Sequence, residues 1–362
     1  MFEKDIEFIR SQYGNAEKIA LHEPYFDHRE IEKTTECIES TFVSSVGKFV
    51  TEFENSIADY CGVKRAVACV NGTNALFLAL KLCGIKTGDK VVTQPLTFIA
   101  TANAIAYCGA EPVFVDVDRD TMGLSPEHLE TYLKKHNDIK AVVPMHTFGH
   151  PCRIKEIKEV CDKYGVVLVE DCAESLGSFV GDVHTGNFGR VGIISFNGNK
   201  IITTGGGGML LFNDEKLADY AKHLTTQAKI PHRWEFNHDA IGYNYRMPNL
   251  NAALGMAQFE KLPMLRRKKR ELAERYAAYF GDRFVKDTVG TSSNYWLNAI
   301  LTTDRKEREV FLTEANDAGV MTRPAWTLMN KLEMFKHCET DGLENAQWLE
   351  NRLVNIPSGV MK

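Results

Sequence analysis

The sequence predicts an α/β fold built on a mostly parallel sheet with helices on both faces. Between about residue 64 and residue 212, short runs rich in β-branched residues alternate with segments whose apolar residues recur at helical spacing. One strand candidate, GVVLVE at 165–170, is apolar almost throughout, which is typical of a parallel strand buried on both faces. The alternation indicates repeated strand–helix–strand units, and therefore a layered α/β sheet.

Short strand candidates follow one another along this region, separated by helical patterns or turns. They lie at 65–70, 89–95, 111–118, 139–146, 165–170 and 191–196. The first helical pattern, GTNALFLALKLCG, is expected to end at Gly84, because glycine commonly terminates helices. Ser125 is expected to cap a later helix, with Pro126 in its first turn.

The pattern changes beyond residue 245. A long helical segment at 249–281 has Pro263 as its expected break, and a strand and two more helical patterns follow it. We therefore expect an N-terminal arm plus large domain at 1–245 and a smaller C-terminal α/β domain at 246–362.

Composition and charge exclude several classes of protein. The 362 residues carry a formal net charge of −5, which gives no electrostatic argument for binding nucleic acid or an anionic membrane. No apolar run reaches the roughly 18 residues that span a bilayer, and the N-terminus lacks a signal-peptide pattern. The nine cysteines include no C-x-x-C pair, so we expect a cytoplasmic protein without disulfides or a metal site.

Polar residues stand at the ends of four strand candidates. In open α/β sheets, ligands bind outside the carboxyl ends of the strands, so these residues are expected to meet there. They are Asn71-Gly72-Thr73-Asn74, Thr97-Phe98, Asp171 with Glu174, and Asn197-Gly198-Asn199-Lys200. Taken singly, each has a structural alternative: a turn, a helix cap, a core ring or a surface lysine.

Together these residues match pyridoxal 5′-phosphate. That cofactor needs a lysine for its Schiff base, a carboxylate at its ring nitrogen, a phosphate site and usually a stacked ring. Helix amides and a hydroxyl after the first strand suit the phosphate. The glycines at 205–208 would let backbone follow a cofactor edge. No G-x-G-x-x-G, P-loop or G-x-S-x-G motif occurs, which argues against a nicotinamide, nucleotide-triphosphate or serine-hydrolase site.

The same segments resemble a known family, the DegT/StrS nucleotide-sugar aminotransferases, which are fold-type I enzymes that use pyridoxal phosphate. The segments are NGTNAL, PLTFIATANAI, EPVFVDVD, VEDCAESLGS, SFNGNKIITTGGGGML and GYNYRMPNLNAALGMAQ. Three others resemble the branch that aminates C4 of a nucleotide-linked 4-keto-6-deoxy-N-acetylglucosamine, in legionaminic-acid and bacillosamine-type pathways. These are LHEPYFDHRE, STFVSSVGKFVTEFE and TRPAWTLM.

The resemblance implies a seven-stranded sheet and a role for individual residues. Lys200 would bind the cofactor covalently, Asp171 would pair with its ring nitrogen, and Phe98 would stack on the ring, with Glu174 nearby. The remaining implied cofactor contacts are Gly72, Thr73, Asn74, Ser195 and, from a second subunit, Asn244. Candidate substrate contacts are Ser44, Ser45, Lys48, Arg246 and Arg323. Asn330 departs from the histidine expected in the close branch.

The implied activity is transfer of an amino group from glutamate to C4 of a UDP- or GDP-linked sugar. The partners would be the keto sugar and glutamate or 2-oxoglutarate, in a homodimer with shared sites and ping-pong kinetics. Alternatives are amination at C3 or of another nucleotide sugar, and a non-catalytic regulator that binds the same cofactor. Lys200 speaks against the family's dehydratases, which carry histidine at that position.

Overall fold

The computed structural model describes residues 1–361, and its centre is a seven-stranded sheet with the strand order β1-β9-β8-β5-β4-β2-β3. The strands are β1 Arg65–Cys69, β2 Lys90–Thr93, β3 Glu111–Phe114, β4 Ile139–Val143, β5 Val167–Asp171, β6 Phe179–Val180, β7 Val183–His184, β8 Val191–Ser195, β9 Gly208–Phe212, β10 Thr291–Ser292, β11 Asn298–Leu301, β12 Arg323–Pro324 and β13 Leu353–Ile356.

The sheet is parallel except at one strand. The pairs β3-β2, β2-β4, β4-β5 and β5-β8 are parallel, whereas β9 runs antiparallel to both β1 and β8. Apolar residues of β5 and β8, such as Val169 and Ile193, are fully buried between helical layers. The predicted mostly parallel sheet is therefore confirmed, and its carboxyl ends meet at one edge.

The helices cover both faces of the large sheet and build the C-terminal part. They are α1 Glu3–Ser11, α2 His28–Glu39, α3 Lys48–Cys61, α4 Gly72–Leu82, α5 Ile99–Tyr107, α6 Pro126–Leu133, α7 Ile154–Tyr164, α8 Glu215–Thr225, α9 Asn249–Glu260, α10 Leu262–Phe280, α11 Arg305–Asp317 and α12 Glu344–Glu350.

Two local predictions can be compared with these helices. Pro263 lies in the first turn of α10, directly after the break at Lys261, as expected. Ser125 precedes α6 as predicted, but its side chain does not cap the helix. Its hydroxyl donates instead to the Glu127 carboxylate at 3.1 Å, so the predicted capping bond is wrong.

The C-terminal part contains a small antiparallel sheet with the order β11-β13-β12. The N-terminal helix α1 packs there, since Phe2 and Ile9 share an apolar cluster with Tyr276 and Phe311. The second helix of the chain, α2, packs against α9 instead. The boundary at residue 245 stays a prediction.

Two further expectations concern cysteines and membranes. All nine cysteines are free thiols, and eight of them are buried as small apolar side chains. Across residues 1–361, no helix combines the length and the apolar character needed to cross a bilayer.

Candidate active site

A cavity of about 310 Å³ lies at the carboxyl edge of the large sheet. The chain therefore brings together the polar residues that follow β1, β5 and β8. The residues that line the cavity are Asn71, Gly72, Thr73, Leu76, Phe98, Ala100, Met145, Asp171, Ala173, Glu174, Ser195, Asn197, Asn199, Lys200, Gly207, Trp296 and Trp326.

Lys200 lies in the loop after β8, and its amine is enclosed by two side chains. The Nζ atom is 3.3 Å from Glu174 Oε1 and 4.0 Å from the centre of the Trp296 ring. The Lys200 side chain is only 11% exposed. The lysine is therefore held inside the cavity by an ion pair and a cation–π contact, and is not solvated at the surface.

Glu174 is the buried partner of this lysine. Its other carboxylate oxygen accepts a 2.8 Å hydrogen bond from the backbone amide of Phe148. Phe148 has a φ of 57°, an uncommon value for a phenylalanine, which turns this amide toward the carboxylate. Burial raises the pKa of Glu174 to about 7, although the Lys200 charge acts in the opposite direction.

Asp171 ends β5 and lies against the cavity, almost completely buried. The Thr101 hydroxyl donates to its Oδ2 at 2.7 Å, and the Ala173 amide donates to its Oδ1 at 3.1 Å. Burial raises the pKa of Asp171, while these two hydrogen bonds and the charge of Lys200 favour its ionised form.

The N-terminus of α4 forms one end of the cavity. The Asn71 side chain caps the helix by accepting from the Asn74 amide at 2.8 Å. The first helix amides, at Gly72 and Thr73, have no partner within the helix and can hold an anion. A Cβ added at Gly72 would lie 2.9 Å from the Ser195 Cβ, so only glycine lets α4 approach the serine this closely.

Aromatic rings form the walls of the cavity. Phe98 is half exposed and lies 6.1 Å from Trp326, centre to centre, in an edge-to-face arrangement. Trp296 faces Lys200, and its indole Nε1 donates to the backbone carbonyl of Asn199 at 2.6 Å. Sequence patterns did not indicate either tryptophan as a site residue, because YWLNAIL was interpreted as a strand and TRPAWTLM as a branch motif.

Asn294 joins the Trp296 segment to the loop that follows β5. Its Nδ2 donates to the carbonyl oxygens of Glu174 and Leu176, at 2.8 and 2.9 Å. Its Oδ1 accepts from the Trp296 amide at 2.7 Å. Gly149 packs against this amide with a φ of 96°, and a Cβ there would overlap Asn294 Oδ1. The position of Trp296 is therefore set by a buried asparagine and a required glycine.

The glycine run after Lys200 has a more structural reason than the sequence suggested. Gly207 lines the cavity, but a Cβ on it would overlap the Thr204 hydroxyl. A Cβ on Gly208 would lie 2.5 Å from the Asn71 carbonyl oxygen. The glycines are therefore required by close contacts with the protein's own chain. The sequence analysis explained them only by a cofactor lying against the backbone, and this explanation is incomplete.

Several candidate residues lie outside this cavity. Asn74 sits in the first turn of α4 but not among the lining residues. Arg323 is exposed in β12. The remaining ones lie on the outer surface formed by the 41–48 segment and the chain before α9: Ser44, Ser45, Lys48, Asn244 and Arg246.

These outer residues are held by contacts with neighbouring segments of the surface. Arg246 donates to the Ser45 carbonyl, the Asn249 amide donates to the Ser44 carbonyl, and Lys48 pairs with Glu36. The exposed Asn244 pairs through its backbone with Thr226. Within residues 1–361, one chain therefore does not bring these residues to Lys200.

A second titratable cluster, also buried, consists of His146, Glu170 and Cys172. Its donor atoms are close enough for a metal ion, but the Glu170 carboxylate already accepts from the amides of Gly186, Phe188 and Gly189 at 2.6 to 2.8 Å. His146 lies 3.3 Å from the same carboxylate. This arrangement is typical of a satisfied buried carboxylate that anchors the loop after β7.

The cavity residues fit pyridoxal 5′-phosphate. Asp171 is a buried acid at the cavity wall, and its hydrogen-bond donors are a hydroxyl and an amide. A protonated ring nitrogen would supply the positive charge that such a carboxylate requires. Lys200, the start of α4 with Ser195, and Phe98 surround the same space.

Comparison with known proteins gives a family and a set of relatives. A model of the DegT/DnrJ/EryC1/StrS aminotransferase family matches residues 24–361. GDP-perosamine synthase from Escherichia coli O157:H7 is 38% identical over 344 residues, covering 94% of this chain and 93% of that protein. EpsN of Bacillus subtilis (strain 168), named provisionally as a pyridoxal phosphate-dependent aminotransferase, is 39% identical over 356 residues, covering 94% and 91%.

A solved structure has the same fold over nearly the whole chain. The aminotransferase TlmJ from Streptoalloteichus hindustanus superposes with a TM-score of 0.88 at 32% identity, covering 94% of this chain and 93% of that one.

Proposed function

This chain belongs to the DegT/DnrJ/EryC1/StrS aminotransferase family, and on that premise we propose that it aminates C4 of a nucleotide-linked 4-keto-6-deoxy-N-acetylhexosamine, with glutamate as donor. It is a pyridoxal phosphate-dependent aminotransferase. The observation that carries the proposal is the enclosure of Lys200, Asp171 and the start of α4 in one cavity. The cavity holds a lysine amine, a buried acid and the N-terminal amides of a helix together.

The cofactor, when bound, supplies an aldehyde on an electron-accepting ring that carries the amino group from donor to acceptor. Lys200 would bind that aldehyde and, once its amine is free, move a proton at Nζ. Asp171 would hold the ring nitrogen through its carboxylate. The amides of Gly72 and Thr73, with the Ser195 hydroxyl, would bind the phosphate. Trp296 excludes water from one side of Nζ.

Two observations support a nucleotide-linked sugar as the acceptor: the name of a relative, and the position of the TRPAWTLM segment at the cavity. The relative GDP-perosamine synthase is named for a sugar linked to a nucleotide. Of the three segments that resemble the C4 branch, TRPAWTLM contributes Trp326 to the cavity wall. An indole at this position offers an apolar face to a sugar ring or an acetyl methyl group. The 2-acetamido-4-keto sugar is therefore the substrate class that we favour.

We also propose that the enzyme works as a homodimer whose sites are completed across the interface. The 230–241 segment exposes Trp234, Phe236 and Ile241, which are 69%, 76% and 88% exposed in the single chain. Apolar side chains grouped on a surface mark an interaction site. Asn244 lies next to this segment and outside its own cavity, so a second copy is the reasonable recipient of its side chain.

Product analysis tests the proposed reaction. The loaded enzyme is incubated with ¹⁵N-glutamate and, separately, with UDP- and GDP-linked 4-keto-6-deoxy sugars with and without a 2-acetamido group. A 3-keto sugar nucleotide is also tested separately, because amination at C3 is the alternative reaction. We expect ¹⁵N at C4 of the acetamido sugar, by mass spectrometry and NMR. Label only at C3 would establish the alternative regiochemistry, and no labelled sugar at all would overturn the proposed acceptor class.

A further inference from the structure

We propose that Glu174 stores the proton of Lys200: its carboxylate takes up the ammonium proton when Nζ becomes covalently bound and returns it when the amine is freed. This role rests on the proposed covalent function of Lys200. It assigns to Glu174 a task in proton transfer in addition to its place beside the ring. Glu174 contacts a reacting atom, the lysine nitrogen, and is therefore a catalytic residue in this proposal.

One of the two carboxylate oxygens of Glu174 is positioned to accept the lysine proton. Glu174 Oε2 is occupied by the Phe148 amide at 2.8 Å. Oε1 is 3.3 Å from Lys200 Nζ, within hydrogen-bond distance. The Glu174 side chain is 1% exposed and the Trp296 ring covers Nζ from another side, so water has little access to the pair. Glu174 Oε1 is therefore a buried acceptor within hydrogen-bond distance of a proton that leaves Nζ.

The surrounding charges determine which atom holds the proton. The charged groups that act on Glu174 are Lys200, which favours the carboxylate, and Asp171, which disfavours it. Another titratable group close to Lys200, His22, carries no charge, because burial and the charges of Lys269 and Lys200 hold its pKa well below its usual range. The pKa of Glu174 is already raised to about 7 by burial with the ammonium present.

In this proposal the covalently bound Nζ carries no proton, so binding removes the one charge that stabilises the Glu174 carboxylate. Burial and Asp171 remain, and both favour the neutral acid. The step balances: an N–H bond of the ammonium breaks and an O–H bond forms at Oε1, which frees the amine lone pair. When Nζ then joins the aldehyde carbon, its two remaining protons would leave with the aldehyde oxygen as water. The pair is neutral overall before and after the transfer. Release of the amine reverses the step and restores the ion pair.

A glutamine would not perform this task, although it has nearly the same shape. An amide oxygen could still accept from Phe148, but the amide group neither takes up nor releases a proton near neutral pH. Glu174→Gln therefore separates the stored proton from the packing of the side chain. The exposed Glu159 of α7 offers a matched control for loss of one carboxylate elsewhere in the chain.

Infrared difference spectroscopy tests the inference directly. The spectrum of cofactor-free protein is subtracted from that of protein loaded with pyridoxal phosphate, in H₂O and D₂O. Side-chain-labelled ¹³C-glutamate distinguishes glutamate from aspartate bands. We expect the wild type and Glu159→Gln to gain one deuterium-sensitive carboxylic-acid band per site, and Glu174→Gln to lack it. An equal band in all three proteins, or none in the wild type, would overturn the proposal.

Two further measurements keep the result interpretable. If Glu174→Gln does not fold, the wild-type band is titrated alone, and its midpoint should lie at a higher pH in the loaded protein than near pH 7 in the free protein. An unchanged midpoint would refute proton storage. Borohydride reduction and peptide mapping report separately whether Lys200 is bound, so a bound lysine without the band leaves the proposed function standing.

Discussion

The indole of Trp296 is joined to the loop of the reactive lysine, because its Nε1 donates a 2.6 Å hydrogen bond to the backbone carbonyl of Asn199. Trp296 precedes β11 of the small sheet, whereas Asn199 precedes Lys200 in the loop after β8 of the large sheet. One side chain thus couples the position of the small sheet to the position of the lysine. This coupling makes the lysine loop sensitive to changes far away in sequence.

Replacing this indole should loosen the lysine loop. Trp296→Phe keeps an aromatic ring near Nζ but loses the bond to Asn199, and a neutral hydrogen bond contributes about 0.5–1.5 kcal/mol. We expect the dissociation constant of the cofactor to rise about 2- to 13-fold, measured by absorbance after dialysis against graded cofactor concentrations. Trp326→Phe also removes a cavity indole but none of the loop's bonds, and it should retain wild-type affinity. Equal effects of both substitutions would contradict the coupling.

Lys200 should be the only residue that carries the cofactor covalently. Lys200→Arg keeps the charge but cannot bind the aldehyde, so transamination should fall by about 10²–10⁴-fold. After borohydride reduction, a peptide map of the wild type should show the pyridoxyl mass at position 200, and the variant should show none. Lys155→Arg, on the exposed face of α7, serves as the control and should behave as the wild type. A pyridoxyl mass on another lysine of the wild type would refute the assignment.

The Thr101 hydroxyl should set the acidic limit of activity through Asp171. Thr101→Val removes a hydrogen bond that favours the ionised carboxylate, so the pKa of Asp171 should rise above its already raised value. The ionised form is then lost at a higher pH as the solution is acidified. A charged hydrogen bond of about 1.5–3 kcal/mol corresponds to a shift of about 1–2 pH units in the acidic limb of kcat/KM.

Thr101→Ser tests this explanation, because it keeps the hydroxyl and loses only a methyl group. Its acidic limb should coincide with that of the wild type. A shift of similar size in both variants would assign the effect to packing and not to the hydrogen bond.

Gly149 should be required for stability as well as for the position of Trp296. Gly149→Ala would place a methyl group on Asn294 Oδ1 and force a left-handed backbone on alanine. We expect the free energy of unfolding to fall by about 2–4 kcal/mol, measured by urea denaturation. Gly165→Ala has a similar left-handed strain, with φ of 66°, but no atom within 4 Å of the new methyl group. It should lose only about 1 kcal/mol.

Complementation between subunits should reveal whether Asn244 acts across an interface. Lys200→Arg and Asn244→Asp should each be inactive alone. When the two variants are unfolded, mixed in equal amounts and refolded, half of the dimers are hybrids, and one of their two sites is intact if Asn244 comes from the partner. About one quarter of the wild-type activity should return. No recovery, with hybrids demonstrated by mass spectrometry, would place Asn244 and Lys200 in the same subunit's site.

Much of the architecture could be predicted from local patterns. Apolar strands alternating with helical segments indicated the parallel sheet, and the rule for strand ends grouped Asp171, Lys200 and the start of α4 from sequence position alone. The antiparallel strand β9 was not predicted, because strand direction depends on the path of the connecting chain and not on the apolar pattern.

Sequence alone determined the fold class and the set of polar groups around the cavity, since both follow from short-range periodicity and from where strands end. Only the tertiary structure decided that Glu174 pairs with Lys200 and that Trp296 and Trp326 complete the walls. Those contacts join segments up to 228 residues apart, as between Phe98 and Trp326, and they form through packing of the small sheet, Asn294 and Gly149 against the large one. No local pattern carries that information, because burial of a side chain depends on what the rest of the chain places against it.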